Sequence, residues 1–229
     1  MKPIDSVLLT KLAAGYTALS DARYNLGGVA FWLGPSGLDI VANDGHTLFH
    51  GHLAGMTSPE PMTGMLEAAK AAKGEEPDME KGDIGVVKFP AYERVMEVAV
   101  KRHAEASIPL DQVGWRDFDY AAKLAKVMLG PEVSMHVVRL GVDEGKYTVE
   151  AKSFEASMRH ELLWPAPSKA FEKFREAGLQ AAYARRLCGT AMQLPGASWS
   201  LAPHDMDAHV ARGVWDGGEV TLLCMPCRL

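Results

Sequence analysis

The stretch Val41-Ala42-Asn43-Asp44-Gly45-His46-Thr47-Leu48 joins two apolar runs through a short polar segment. Its centre, Asp44-Gly45-His46, is typical of a turn that leads into a strand. The flanking segments, Leu38–Asn43 and Thr47–His52, are rich in apolar and β-branched residues, which predicts a pair of strands. Around this pair the pattern predicts a helix over 6–19, a strand over 28–33 and a helix over 62–72. The first part of the chain is therefore predicted to mix helices and strands.

From about residue 115 the chain predicts a repeated unit of one helix followed by three strands. In the first helix, Arg116–Met128, apolar residues recur at three- and four-residue steps. The second helix is predicted to start at the N-cap Ser168 and to run to Cys188. A charged segment over 73–83, rich in glycine and proline, is predicted to be a loop in the first part. The predicted strands of the repeat are Val133–Gly141, Tyr147–Ser153, Ser157–Trp164, Ala197–Leu201, Ala208–Arg212 and Glu219–Met225.

The composition of the 229-residue chain narrows the class of protein. A hydrophobic content of 48% is ample for a buried core, and the net charge of −5 disfavours a protein that holds nucleic acid by bulk charge. Three cysteines are too few for a secreted disulfide framework and fit a reducing cytosol. No signal peptide and no run of about 18 apolar residues is found, so a cytoplasmic protein without a membrane partner is expected.

Three separated motifs carry a resemblance to a known family. The first is Asp21-Ala22-Arg23-Tyr24-Asn25-Leu26-Gly27-Gly28-Val29 with the turn segment above, the second Lys88-Phe89-Pro90-Ala91-Tyr92-Glu93-Arg94-Val95, and the third Met225-Pro226-Cys227-Arg228-Leu229. They resemble D-x-R-Y-x-L-N-G, V-A-T-D-G-H-R-L-A, R-F-P-D-Y-x-R-V and M-P-M-R-L of the bacterial sliding clamp, the β subunit of DNA polymerase III. A fourth segment, Gly178–Tyr183, falls where the clamp has F-N-x-x-Y. The resemblance implies an α+β DNA-clamp fold with an abbreviated domain over 1–104 and a second domain over 105–229.

In the clamp family these segments converge on one hydrophobic groove that receives short linear motifs of polymerases, the clamp loader and repair proteins. A flexible methionine beside leucine, valine and proline suits such an adaptable peptide site. The bland alternative is that these apolar residues are ordinary core. Carried over by the resemblance, the groove consists of Leu26, Asn43, Gly45, His46, Thr47, Leu48, Pro90, Arg94, Val95, Gln180, Tyr183, Leu223, Met225, Pro226, Cys227, Arg228 and Leu229.

The sequence departs from the family in its extent and in two groove positions. Clamp subunits have three domains and close a six-domain ring as dimers, whereas this chain resembles only the second and third. A ring of six domains would then require a homotrimer. Thr47 stands in place of an arginine and Cys227 in place of a methionine, which is expected to retune peptide affinity.

Basic side chains on the two predicted helices could contact duplex DNA without sequence specificity, because clamp helices line the central hole. Solvated helix faces look the same, so an ordinary exposed surface is the alternative. The residues are Arg116, Lys123 and Lys126 on the first helix, and Lys169, Lys173, Arg175, Arg185 and Arg186 on the second.

Catalytic chemistry is not indicated, and no cofactor or metal is expected. Cys224 and Cys227 are three residues apart, which places them on opposite faces of a strand, and no second pair completes a metal site. The even spacing of Asp44, His46, His50 and His52 leaves a metal-binding strand face as an alternative, against a turn at Asp44-Gly45-His46 followed by two exposed histidines.

The resemblance therefore implies a non-catalytic, clamp-like accessory of replication or repair that binds peptide motifs and encircles duplex DNA as a homo-oligomer. The alternative function is an adaptor or competitor that binds the same peptides without enclosing DNA.

Overall fold

The computed structural model describes residues 4–18, 27–81, 93–130, 136–152, 157–171, 174, 176–204 and 207–227. This part of the chain forms α-helices and antiparallel β-strands, as the sequence predicts for an α+β fold. In chain order they are α1 Ser6–Ala14, β1 Gly28–Gly34, β2 Gly37–Asn43, β3 Thr47–Leu53, β4 Met62–Glu67, α2 Ala68–Lys73, β5 Glu80–Lys81, α3 Glu93–Glu105, β6 Ile108–Leu110, α4 Gln112–Leu129, β7 Val137–Asp143, β8 Lys146–Lys152, β9 Ser157–Glu161, a 3-10 helix Lys169–Phe171, β10 Glu176–Gln180, α5 Ala181–Gln193, β11 Ser198–Ala202, β12 His209–Trp215 and β13 Gly218–Cys224.

The chain divides into two compact units that are not continuous in sequence. Unit 1 takes in the described residues up to Arg94 together with Arg212–Leu222, and unit 2 takes in Val95–Ala211 and the described residues from Leu223 onward. The predicted domains, 1–104 and 105–229, differ from these units at two places. Most of α3 belongs with unit 2, and most of the β12–β13 hairpin belongs with unit 1.

Contacts within each unit explain both differences. In unit 2 the buried His103 of α3 lies with its Nε2 2.9 Å from the hydroxyl of Ser200 in β11. In unit 1 the turn between β12 and β13 contacts the end of β3, where the amide of Ala54 donates to the carbonyl of Gly217 at 3.0 Å. Residues distant in sequence therefore complete each unit.

Unit 1 is built on one antiparallel sheet with the strand order β5-β4-β1-β2-β3-β13-β12, the last strand contributing from Arg212 onward. Helix α1 begins at the N-cap Asp5, whose carboxylate accepts a hydrogen bond from the amide of Leu8 at 2.8 Å. Its buried side is covered by the sheet, and the ring of Tyr16 lies 5.5 Å from that of Phe49 in β3. One part of the core of unit 1 therefore lies between α1 and one face of the sheet.

The predicted helix over 62–72 is wrong in its first half. Met62–Glu67 is strand β4, which pairs with β1 from Gly28↔Glu67 to Leu33↔Met62, and only Ala68–Lys73 is helical. The apolar spacing of this segment fits a helix, but pairing with the buried β1 overrides that local preference. Gly64 suits the strand because a Cβ there would lie 2.7 Å from the sulfur of Met79, so the following segment can pass close to β4.

Unit 2 contains helices α4 and α5 and two groups of strands. One sheet has the order β10-β7-β8-β9, and the other group consists of β6, β11 and the first residues of β12. Helix α4 begins at the N-cap Asp111, whose carboxylate accepts from the amide of Gly114 at 2.8 Å. Small buried residues on both helices, including Ala121, Ala125, Ala184 and Ala191, leave room for close packing.

The predicted helix from Ser168 to Cys188 is wrong in its first part as well. Lys169–Phe171 is a single 3-10 turn, Glu176–Gln180 is strand β10, and the helix runs over Ala181–Gln193. β10 pairs with β7, so that Leu179 lies opposite Val138, and Ala177 and Leu179 are buried. Helix α5 is thus preceded by a strand, β10, that the sequence pattern did not separate from it.

No helix in the described ranges is long and apolar enough to cross a membrane.

Candidate peptide site and basic surface

The predicted turn before β3 is present and is held by side-chain to backbone hydrogen bonds. The side-chain oxygen of Asn43 accepts from the amide of Gly45 at 2.6 Å. That of Asp44 accepts from the amides of His46 and Thr47 at 2.9 and 2.6 Å. Gly45 has φ +87°, a conformation that glycine adopts without strain. The turn therefore presents Gly45 and His46 to solvent while Thr47 is buried.

Unit 2 carries the other predicted groove residues, and there the segment after β13 is tied to β10. The amide of Cys227 donates to the carbonyl of Gly178 at 2.8 Å, and the two residues form an antiparallel bridge. Leu223 is buried, whereas Met225 is 47% exposed. This segment is an ordered surface with a solvent-facing methionine.

The Cys227 thiol is held in its neutral form. Burial raises the pKa of Cys227, and a hydrogen bond with the backbone of Gln180 opposes that rise only in part. A neutral thiol behaves as a small apolar side chain rather than as a nucleophile. Cys227 therefore extends the apolar character of the segment.

The predicted groove residues fall into two sets, one in each unit. Unit 1 carries Asn43, Gly45, His46, Thr47, Leu48 and the exposed Arg94; unit 2 carries the exposed Val95 with Gln180, Tyr183, Leu223, Met225, Pro226 and Cys227. Leu26, Pro90, Arg228 and Leu229 lie outside the described residues. The groove as one site stays a prediction.

The basic residues predicted to face DNA do not lie on two helices as expected. Arg116, Lys123 and Lys126 are exposed on α4, and Arg185 and Arg186 are half-buried on α5. Lys169 lies in the 3-10 turn, because the long second helix does not exist. Lys173 and Arg175 lie outside the described residues. The exposed side of α4 also carries Tyr120 and Val127, so it is a mixed rather than a purely basic surface.

Two of these cations share one buried carboxylate. Asp119 on α4 accepts from Lys123 Nζ at 2.6 Å and from Arg185 Nε at 3.2 Å. Arg186 lies with its guanidinium 5.4 Å from the ring centroid of Tyr183, a cation–π distance. Arg116 and Lys126 are therefore better placed to meet a phosphate than Lys123 or Arg185, whose charge is already compensated.

The alternative of a metal-binding strand face is changed by the structure. Asp44 and His46 belong to the turn, as the competing interpretation predicts. His50 and His52 instead meet an aspartate that the sequence analysis missed: His50 Nε2 lies 2.8 Å and His52 Nδ1 2.9 Å from Asp39 Oδ1. The β2–β3 register places Asp39 directly opposite His52, so counting outward from the turn would have found it.

Asp39 is ionised at neutral pH. Burial opposes its charge, but hydrogen bonds from the two imidazoles, and their positive charge when protonated, outweigh burial and lower the pKa of Asp39. The three side chains are one fifth to one quarter exposed, so the group is reachable from solvent.

His209 is a further histidine with an unusual environment. It is buried in β12, and its Nδ1 accepts from the amide of His204 at 3.2 Å. Its Nε2 makes no hydrogen bond within the described part of the chain. Burial lowers the pKa of His209 to about 4, and the Gly178 carbonyl opposes this only in part. His209 therefore stays neutral beside the β10 strand to which Cys227 is tied.

No protein-family model and no curated protein sequence matches the chain. Solved structures do match. A DNA polymerase sliding clamp from Pseudomonas aeruginosa matches with a TM-score of 0.74 and 18% identity, over 97% of this chain and 64% of the clamp. A putative DNA polymerase III β subunit from Eubacterium rectale matches with a TM-score of 0.71, 10% identity and coverages of 97% and 63%. The Helicobacter pylori β clamp in complex with 5-chloroisatin matches with a TM-score of 0.69, 15% identity and coverages of 100% and 68%.

These matches show that the chain belongs to the α+β class of folds, with helices and antiparallel sheets. Within that class, the chain has the fold of the bacterial DNA polymerase III β clamp. The resemblance drawn from the sequence motifs is thereby confirmed at the level of the fold. The chain spans 64% of the length of the Pseudomonas aeruginosa clamp, which corresponds to part of that protein's domains.

Proposed function

We propose that this protein is a non-catalytic, clamp-like accessory of DNA replication or repair that binds short linear peptide motifs of polymerases, the clamp loader or repair proteins. The observation that carries the proposal is the coincidence of the clamp fold with ordered surfaces at two motif segments. These are the turn before β3 and the segment after β13. Both retain the residues that resemble the clamp's peptide groove.

The chemistry of the C-terminal segment supports this use. Met225 is exposed, unbranched and polarisable, so it adapts its shape to different apolar side chains. The neighbouring Cys227 is neutral and its backbone is fixed to β10, so little conformational freedom is lost when a peptide docks against it. An adaptable apolar contact on a rigid backbone fits a site that accepts several partners.

The first test is a titration of a fluorescent peptide containing a glutamine followed by leucine and phenylalanine. We expect saturable binding. Met225→Glu should weaken it by about tenfold or more, because a docked peptide would bury a charge where the wild type offers an apolar contact. Met56→Glu is the matched control, since Met56 is similarly exposed at 43% in a surface segment outside the predicted groove.

Removal of Arg228 and Leu229 should also abolish peptide binding, since both belong to the closing motif. Equal binding by the wild type, the truncated chain and Met225→Glu would contradict the proposed site. Failure of the wild type to bind at all would mean that the fold has lost the recruiting function.

Encirclement of duplex DNA is the second part of the proposal. A closed ring of six clamp domains requires three copies of a two-domain chain, so light scattering should give three times the 24.8 kDa mass of one chain. A stable monomer that still binds the peptide would instead support the adaptor or competitor function.

The basic surface of α4 provides a separate prediction. Arg116→Glu with Lys126→Glu should reduce affinity for duplex DNA by about tenfold and reduce the slope of log affinity against log salt by about 2, as expected for the loss of two phosphate contacts. Lys146→Glu with Lys152→Glu on β8 makes the same charge change on a strand and should leave DNA binding unaltered. Unchanged binding by the α4 variant would exclude this surface as the DNA contact.

A further inference from the structure

We propose that Asp39, His50 and His52 form a binding site for a late first-row divalent metal such as Zn²⁺ on the sheet of unit 1. This inference goes beyond the proposed function and does not depend on it. It rests on donor chemistry and on the positions of three side chains on two neighbouring strands.

The strand geometry brings the three donors to the same face of the sheet. His50 and His52 are two residues apart on β3, so their side chains leave the same face. Asp39 is the cross-strand partner of His52 in the β2–β3 register, and directly paired residues also share a face. Two imidazoles and one carboxylate are a common ligand set for Zn²⁺ and its neighbours in the first row.

The distances show that the donors already converge. Asp39 Oδ1 lies 2.8 Å from His50 Nε2 and 2.9 Å from His52 Nδ1. Ligands at the usual zinc distances of about 2.0–2.2 Å stand about 3.3 Å apart in a tetrahedron. If the Asp39 carboxylate moves away from the two imidazoles by roughly 0.5 Å, the two hydrogen bonds break and the three donor atoms stand at the spacing of zinc ligands.

The metal-free arrangement is self-satisfied rather than open. Among the described residues no group of three or more His, Cys, Asp and Glu side chains is arranged to hold a metal ion as it stands. At the site of Asp39, His50 and His52 there is no space for an ion, because the Asp39 oxygen is hydrogen-bonded to both imidazoles. The carboxylate keeps the rings aimed at one point, so metal entry requires the exchange of partners but no rearrangement of the sheet.

The surroundings favour a bound ion. Asp39 has two cross-strand partners, His52 on β3 and Trp32 on β1. Trp32 is buried and packs with Ala30 and Val41, so this side of Asp39 is apolar. An apolar border limits competition from water and strengthens the coordination of a charged ion. With three protein ligands, a fourth position remains for water or an external ligand.

The test is a calorimetric titration of the chelator-treated full chain, without an affinity tag, with ZnCl₂. We expect one Zn²⁺ per chain, and we expect His50→Gln, His52→Gln and Asp39→Asn each to weaken binding by about 100-fold or more, since each removes a direct ligand. His160→Gln is the matched control: His160 contacts Asp117 at 2.8 Å and has the same 25% exposure as His52, but it is a single imidazole on its carboxylate.

A second measurement needs no variant and so does not depend on variant folding. On addition of Zn²⁺ to the wild type, the imidazole resonances of His50 and His52 should shift first and together. The proposal is overturned if no saturable binding occurs, if other histidines shift before these two, or if His160→Gln weakens binding as much as His50→Gln does.

Discussion

Acidification from pH 7 to pH 4 should lower the free energy of unfolding of this protein, and His209 alone should account for up to about 3 kcal/mol of the loss. The folded state keeps His209 neutral down to pH about 4 because burial penalises its charge. The unfolded chain takes up the proton near pH 6.5, the ordinary value for histidine. The stabilising contribution is therefore complete above pH 6.5 and disappears as the pH falls towards 4.

The structure sharpens this expectation because only the Gly178 carbonyl favours a charge on His209, and it offsets burial only in part. Its Nδ1 accepts a hydrogen bond from the backbone, and its Nε2 has no hydrogen-bond partner among the described residues. A proton on Nδ1 would break the existing bond. Protonation must therefore either unfold the surroundings of β12 or leave a buried charge that the Gly178 carbonyl offsets only in part.

The measurement is urea unfolding at half-unit steps from pH 7.5 to pH 4. His209→Gln removes the titrating group while its side-chain oxygen can still accept from the amide of His204, so the variant should lose most of the pH dependence between 6.5 and 4. His160→Gln removes a histidine that is 25% exposed and should keep the wild-type profile. Identical profiles for the wild type and His209→Gln would show that His209 titrates normally.

Truncation of Phe118 to alanine should destabilise unit 2 by about 3–5 kcal/mol, the usual cost of a large aromatic cavity in a core. Phe118 is fully buried on α4, and its ring meets that of Trp164 edge to face at 5.3 Å. The indole of Trp164 in turn donates to the carbonyl of Gly114 at 3.1 Å. The loss of Phe118 therefore also loosens the residue that ties the segment after β9 to the start of α4.

Val127→Ala on the same helix is the matched control. Its side chain is 75% exposed, so its truncation should change the unfolding free energy by less than about 0.5 kcal/mol. The two variants are compared by urea unfolding followed through tryptophan fluorescence. A loss below about 1 kcal/mol for Phe118→Ala would mean that the site collapses around the cavity or that α4 is not packed as described.

Local sequence signals predicted the β2–β3 hairpin well. Apolar alternation marks both strands, and Asp44 and Gly45 supply the side-chain acceptor and the positive φ that the turn requires. These signals all lie within about fifteen residues of one another, so the hairpin can be predicted without knowledge of the rest of the fold.

The strands β4 and β10 were misassigned for the opposite reason. Their spacing of apolar residues fits a helix, and only pairing with β1 and β7 makes them strands. The partner of β10 begins almost forty residues earlier in the chain. Propensity within a short window carries no information on such a partner.

The candidate sites show the same division between local and distant information. The resemblance of short motifs predicted the residues of the candidate groove, among them the turn before β3 and the segment tied at Cys227. It did not reveal Asp39, because the link between Asp39 and His52 is cross-strand, nor the sharing of Asp119 between Lys123 and Arg185, because that contact joins two helices.

The division of the β12–β13 hairpin between the units has a consequence for synthesis on the ribosome. Unit 1 contains the described residues up to Arg94, but it also needs Arg212–Leu222. At ordinary translation rates the interval between these segments lasts on the order of 10 s. Throughout that time β3 lacks its neighbour β13, and its free edge is open to pairing with other nascent chains. A ribosome stalled before residue 212 would therefore hold an aggregation-prone intermediate, however stable the finished protein is.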